Sequence, residues 1–215
     1  MCYSPSETTA RRVATLLLEA RAIKLSPQKP FKWSSGWLSP IYCDNRIALS
    51  YPAARTYIKN QLAQLVRDHF SGAQAIAGVA TAGIAQGALV ADLLDLPFAY
   101  VRPEPKKHGM GNQIEGRLEK GQKVVLVEDL ISTGGSSLKV ADALRQADID
   151  VVGMVAIFSY GFAVAESNFA EKQVELATLS NYNYLIEEAL RQGQVEPGDV
   201  ATLTDWRQSP ETWGL

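Results

Sequence analysis

The chain has 215 residues, with 21 lysines and arginines against 23 aspartates and glutamates and a formal net charge of −2. This length suits one sizeable core, and the near balance of charge offers no basic footprint for nucleic acid. Two cysteines (Cys2, Cys43) and two histidines (His69, His108) are too few for a disulfide framework or a zinc site, and point to a reducing, cytoplasmic setting.

The N-terminus lacks a signal pattern, and Ser4-Pro5-Ser6-Glu7 instead reads as a helix start. Ser4 is the expected cap, Pro5 suits the first turn and Glu7 completes a capping box. Val13, Leu16, Leu17, Ala20 and Ile23 then form the apolar stripe of a first helix. From 25 to 45, three prolines and the rings of Phe31, Trp33, Trp37 and Tyr42 predict irregular chain with short strands. A second helix is expected over 52–70, with Ser50 as its cap. The uncharged run 75–91 is interrupted by Thr81, Gly83, Gln86 and Gly87, so no membrane span is expected.

A regular alternation follows: strand 75–80, helix 84–94, strand 98–101, strand 123–128, helix 136–147, strand 151–158, short helix 163–169 and strand 174–179. A final helix over 182–192 ends near Gly193, and Trp206 and Trp213 of the tail should pack against the body. Strands this apolar have no open face, which implies an α/β fold with a mostly parallel sheet covered by helices and joined by right-handed crossovers. In such sheets ligands lie beyond the carboxyl ends of the strands.

The stretch from Val124 to Ser137 (VVLVEDLISTGGSS) falls at such an end. Four apolar residues read as a strand buried on both faces. Glu128 and Asp129 follow, where ribose hydroxyls or a magnesium ion would lie. Ser132, Thr133, Gly134, Gly135 and Ser136 come next, and the glycines let the backbone close on a phosphate facing the free amides of a helix start. The chain has no G-x-x-x-x-G-K-[ST], and Gly109-Met110-Gly111 lacks the third glycine of a dinucleotide site. The remaining competitor is a βα turn with surface carboxylates, for which two acids before S-T-G-G-S are too specialised. The long connection 102–116 carries Arg102, Lys106, Lys107 and His108, with glycines at 109, 111 and 116. An ordinary solvated loop is one reading of it; beside a phosphate turn, a cationic lid is the better one.

These residues carry a family resemblance. The 124–137 segment resembles the phosphoribosyl-pyrophosphate (PRPP) motif of the type I phosphoribosyltransferases. Lys106-Lys107-His108-Gly109 with Gly111-Asn112-Gln113-Ile114-Glu115-Gly116 resembles the catalytic loop of the orotate phosphoribosyltransferases, and Ser35-Gly36-Trp37-Leu38-Ser39-Pro40 is similar to their S-G-x-x-S-P segment. The resemblance implies the type I fold in one domain over 1–215. Its core would span about 50–180, with a small hood from about 1–49 and 180–215 and a long flexible catalytic loop.

It also implies transfer of phosphoribose from PRPP to orotate, giving orotidine 5′-phosphate and pyrophosphate on the way to UMP. Magnesium is implied as cofactor, carried by PRPP rather than by protein ligands. A cytoplasmic homodimer is implied, sharing the catalytic loop across its interface, with neither nucleic acid nor membrane as partner. By residue, Arg102, Lys106 and His108 match the pyrophosphate grip. Glu128 and Asp129 match the ribose holders, and the stretch from Leu130 and Ile131 through Ser136 leads into and forms the 5′-phosphate cradle. Ser132 also corresponds to a position beside orotate, and Thr81 and Ala82 match a pyrophosphate loop. Lys106, His108 and Asp129 are the expected catalytic residues. The chain departs from the best-known bacterial branch at Ser34, Ala82 and Pro103, where that branch has lysines, and near Gly161, where it has an arginine. Lys32 or Lys107 are the candidates to compensate. Alternatives are a purine phosphoribosyltransferase, or a PRPP-sensing regulator that binds nucleic acid.

Overall fold

The computed structural model describes residues 2, 3, 5–33, 35–104 and 113–214. Strand β1 (Cys2–Tyr3) precedes helix α1 (Glu7–Glu19). The cap of α1 is Ser6, whose hydroxyl accepts from the Thr9 amide at 3.3 Å. The expected cap, Ser4, lies outside the described residues. With the cap at Ser6, Glu7 is the first helical residue, two positions too early for a capping box. Ile23, expected on the helical stripe, instead opens β2 (Ile23–Leu25). The chain then forms β3 (Phe31–Lys32), β4 (Leu38–Ser39) and β5 (Ile41–Cys43). These make two small antiparallel pairs, β2 with β5 and β3 with β4.

A 3₁₀ helix, Asn45–Ser50, leads into α2 (Pro52–His69). Ser50 therefore belongs to the 3₁₀ turn. Tyr51 stands at the N-cap without a side-chain bond, and Pro52 occupies the first turn, where its missing N–H costs nothing. The alternating part comprises β6 (Ala75–Val79), α3 (Gly83–Leu94), β7 (Phe98–Val101), β8 (Ile114–Glu115), β9 (Lys123–Ile131), α4 (Gly135–Gln146), β10 (Asp150–Ser159), α5 (Ala163–Glu171), β11 (Leu176–Asn181), α6 (Tyr182–Arg191) and α7 (Asp199–Gln208). Three elements, β1, β8 and α7, are too short or too weakly patterned to be expected from sequence.

Seven strands form one sheet in the order β1-β11-β10-β9-β6-β7-β8, parallel throughout except for β8 against β7. Alternate side chains enter two separate cores. Val125 and Val127 of β9, with Val155 and Ile157 of β10, pack with residues of α1, α2 and α3. Val124, Leu126, Met154 and Ala156 pack with α4 and α5. This two-sided burial is the expected consequence of unbroken apolar strands. No helix among the described residues is long and apolar enough to cross a membrane.

Helix α7 ties the N-terminal hairpin to the sheet. Trp206 is fully buried. Its ring centroid lies 5.6 Å from those of Trp33 and Tyr160, and 5.5 Å from those of Phe162 and Tyr182. Its indole N–H donates to the Leu38 carbonyl at 3.1 Å. Trp206→Ala is therefore expected to cost about 3–5 kcal/mol of unfolding free energy in denaturant titration. A loss below about 1 kcal/mol would show that α7 is only loosely attached.

Candidate active site

The site is assembled by the parallel register of β9, β6 and β7. Gly78 pairs with Val127, and Val79 with Val101, so the segments leaving these strands emerge side by side. They carry Glu128 to Gly135, Thr81 and Ala82, and Arg102. Gly83 holds the second segment close: a Cβ there would lie 2.2 Å from the Val127 carbonyl oxygen, a distance only glycine permits. Thr81 is exposed, and Ala82 precedes α3 with no side chain capping the helix amides.

Glu128 was expected to end a strand at 128, with Asp129 just past it; both lie within β9, which runs on to Ile131. The extension persists because β10 continues to pair, Phe158 with Leu130 and Ser159 with Ile131. The Ile131 side chain is fully buried in the core, while its carbonyl accepts the Tyr160 amide at 3.0 Å. Glu128 is itself buried. Its two oxygens accept from the Ser137 hydroxyl at 2.8 Å and the Asp129 amide at 2.9 Å. Asn45 donates its side-chain amide to the Asp129 carbonyl at 2.7 Å, and accepts from the Cys43 thiol at 3.1 Å. Burial raises that thiol, with the charges of Asp129 and Asp44 adding to the effect, which keeps it a neutral donor.

After Ile131 the chain turns through Ser132 and Thr133 into Gly134, whose φ is +79°. A Cβ on Gly134 would meet the Phe169 ring at 2.6 Å, so both conformation and space require glycine. The Thr133 carbonyl accepts from Asn168 of α5 at 2.9 Å. Gly135 and Ser136 begin α4, exposed, with no side chain capping its first amides. A helix start with free amides behind a fixed turn is a phosphate-sized anion site.

Arg102 follows β7. Its amide donates to the Gln113 carbonyl at 3.0 Å, and its guanidinium lies 3.6 Å from Glu115 and 5.8 Å from the Tyr100 ring centroid. Lys106 and His108 lie outside the described residues, as does Ser34. Gly161 has φ +66° and sits beside an arginine from α7. Arg207 donates to the Tyr160 carbonyl at 3.1 Å, the Gly161 carbonyl at 3.1 Å and Asn183 at 3.2 Å. A cation is thus present near that position but is engaged with backbone.

A cavity of about 450 Å³ adjoins the turn, bounded by Lys32, Trp33, Tyr42, Cys43, Leu130, Ser132 and Tyr160 among others. A second cavity, about 460 Å³, lies between 113–118 and the far end of α4; its lining includes Arg117 but no carboxylate or nucleophile. The first is the one that reaches the glycine turn, through Leu130 and Ser132. Sequence reasoning missed Asn45, Ser137, Asn168 and Arg207 as supports. Only Ser137, at the start of a helix behind two acids, left a local signal.

An anion turn after a strand carrying a buried Glu128 and a half-buried Asp129, on a mostly parallel sheet, defines the phosphoribosyl transferase class. Residues 50–183 match the family model described as a phosphoribosyl transferase domain. The orotate phosphoribosyltransferase of Porphyromonas gingivalis is 55% identical over 209 residues, covering 97% of this chain and all of that protein. That of Cytophaga hutchinsonii is 53% identical over 203 residues, covering 94% and 97%. The crystal structure of orotate phosphoribosyltransferase from Aeropyrum pernix superposes with a TM-score of 0.74 at 29% identity, over 86% of this chain and 99% of that one. The chain belongs to the orotate phosphoribosyltransferase family.

The acidic pair has a pH signature. Glu128 is pushed up from 4.5 to about 8, first by burial and then by the charge of Asp129. Its folded value lies above its unfolded one, so the unliganded fold binds this proton more tightly. The stabilisation is complete below the ordinary glutamate value and is lost as pH rises towards the folded one. Denaturation midpoints of the unliganded protein should therefore fall between about pH 5 and about pH 8, and Glu128→Gln should flatten that slope. An unchanged slope in the variant would place the proton elsewhere.

Proposed function

We propose that this chain transfers the phosphoribosyl group of PRPP to orotate, forming orotidine 5′-phosphate and pyrophosphate in the synthesis of UMP. One observation carries the reading: Ser132 both opens the glycine turn and lines the aromatic cavity, so a phosphate site and a planar-base site meet at one residue. The high identity to orotate phosphoribosyltransferases over nearly the whole chain supports orotate over the purine-transfer and regulatory alternatives.

In this reading the 5′-phosphate is held by Ser132, Thr133, Gly134, Gly135 and Ser136, largely through backbone amides. Leu130 and Ile131 carry the strand into that turn. Glu128 and Asp129 accept hydrogen bonds from the ribose hydroxyls. Thr81 and Ala82 face the pyrophosphate, and Arg102, Lys106 and His108 grip it as it leaves. The C1′–O bond breaks largely before the base nitrogen attacks, so positive charge develops on the ribose while negative charge grows on pyrophosphate. Fixed carboxylates on one side and cations brought by the loop on the other answer these two demands. Lys106, His108 and Asp129 are the residues assigned to catalysis.

Magnesium fits this site as a companion of the substrate. Burial raises both carboxyls, and the charge of Asp129 raises Glu128 further, so both hold their charge at neutral pH more readily beside a cation. Among the described residues no group of three or more His, Cys, Asp or Glu is gathered to hold a metal, so the ion's oxygens would come mainly from PRPP. When bound it supplies counter-charge to the pyrophosphate. The assignment extends to one cytoplasmic domain with a hood from about 1–49 and 180–215, acting as a homodimer that shares the 102–116 loop across its interface. It is supported by the family resemblance and the cysteine usage.

Steady-state assays with PRPP and orotate, adenine or hypoxanthine should show turnover with orotate alone, abolished when magnesium is chelated. Preferential turnover of a purine would overturn the assignment. In Asp129→Asn, kcat or PRPP affinity should fall about 10- to 1,000-fold while the orotate KM stays within about threefold. Wild-type kinetics would remove Asp129 from ribose holding.

A further inference from the structure

We propose that Lys32 is the specificity-determining residue of the base site, reading the carboxylate that distinguishes orotate from neutral pyrimidines. The inference rests on the reading of the 450 Å³ cavity as the base site and deepens it. Orotate is a flat ring bearing a carboxylate, so its recognition needs apolar walls for the ring faces and one cation for the edge. Trp33, Tyr42 and Tyr160 supply aromatic walls, and among the described lining residues Lys32 is the one cation.

The other nearby arginines are already engaged. Arg46 forms a fork with both carboxylate oxygens of Asp44 at 2.6 and 2.9 Å. Arg207 is held by the Tyr160 and Gly161 carbonyls and by Asn183. Lys32, by contrast, makes no ion pair with any described residue and its side chain is exposed. Its backbone is nonetheless fixed. Lys32 pairs with Leu38 across the β3–β4 hairpin. The neighbouring Trp33 donates its indole N–H to the Ile41 carbonyl at 3.1 Å and packs 5.3 Å from the Tyr160 ring. An ammonium on a short hairpin, anchored one residue away and set against the cavity, can meet a ligand carboxylate at the cost of ordering its own side chain alone. A neutral base would gain nothing from it.

The test compares orotate with its carboxamide, orotamide, in the full-length enzyme. In wild type, the orotate KM should lie well below the Ki of orotamide. Lys32→Met should raise the orotate KM about 10- to 100-fold, with PRPP KM and orotamide Ki changed by less than about threefold. Lys32→Arg should restore the preference for the carboxylate. A Lys32→Met enzyme that keeps the wild-type preference, or a wild type without one, overturns the proposal. Cys43→Phe, which fills the cavity, separates the two levels. If it leaves the orotate KM unchanged, the cavity is not the base site and both readings fall. If it weakens orotate while Lys32→Met keeps the preference, the cavity stands and Lys32 does not.

Discussion

A strand buried on both faces cannot carry two adjacent carboxylates unless the fold holds them, and β9 does so with contacts from three directions. Ser137 reaches Glu128 from α4, Asn45 reaches the Asp129 carbonyl from the 3₁₀ turn, and β10 keeps pairing alongside until Ile131. Each contact satisfies a polar group that burial would otherwise leave costly. The same contacts set the direction in which the chain leaves the sheet, and hence where Gly134 turns and where α4 presents its amides. Position of the anion site is thus a consequence of how an acidic pair is kept inside a parallel sheet.

The base cavity has a different origin. Its floor, Leu130 and Ser132, belongs to β9 and the turn, but its walls come from the N-terminal hairpin and from Tyr160. These parts are distant in sequence, and a cluster of rings around Trp206 joins them. Arg207 adds two hydrogen bonds that fix the backbone at Tyr160 and Gly161, and a third to the Asn183 side chain. Short two-stranded sheets are weak on their own. The β3–β4 hairpin keeps its shape because Trp33 is gripped between Tyr160 and Trp206.

This division explains what could be read from sequence. The strands of the sheet announce themselves because burial on both faces demands continuous Val, Ile, Leu and Ala. The S-T-G-G-S turn is legible because a positive φ and close approach leave glycine as the only choice at Gly134. Helix α7 was not legible: Asp199–Gln208 has no clear apolar stripe, and Trp206 and Leu203 alone enter the core. Ser4 and Ser6 offer equivalent hydroxyls, and only the path of the chain selects Ser6. Asn45, Asn168 and Arg207 act across separations of 84, 35 and 46–47 residues, where no local pattern reports the partner.

The two halves also differ in what substitution can do to them. A phosphate held by backbone amides at a helix start is indifferent to most side-chain changes, provided the glycine turn survives. A base held by side chains on a separate hairpin has no such protection, because each lost contact must be replaced by another residue within reach. The absent arginine at Gly161 illustrates this. Arg207 approaches the same backbone from α7, but its donors are satisfied by carbonyls and contribute rigidity rather than ligand charge. Among the described residues, the positive charge lining the cavity comes from the hairpin side, where the register of β3 against β4 places Lys32.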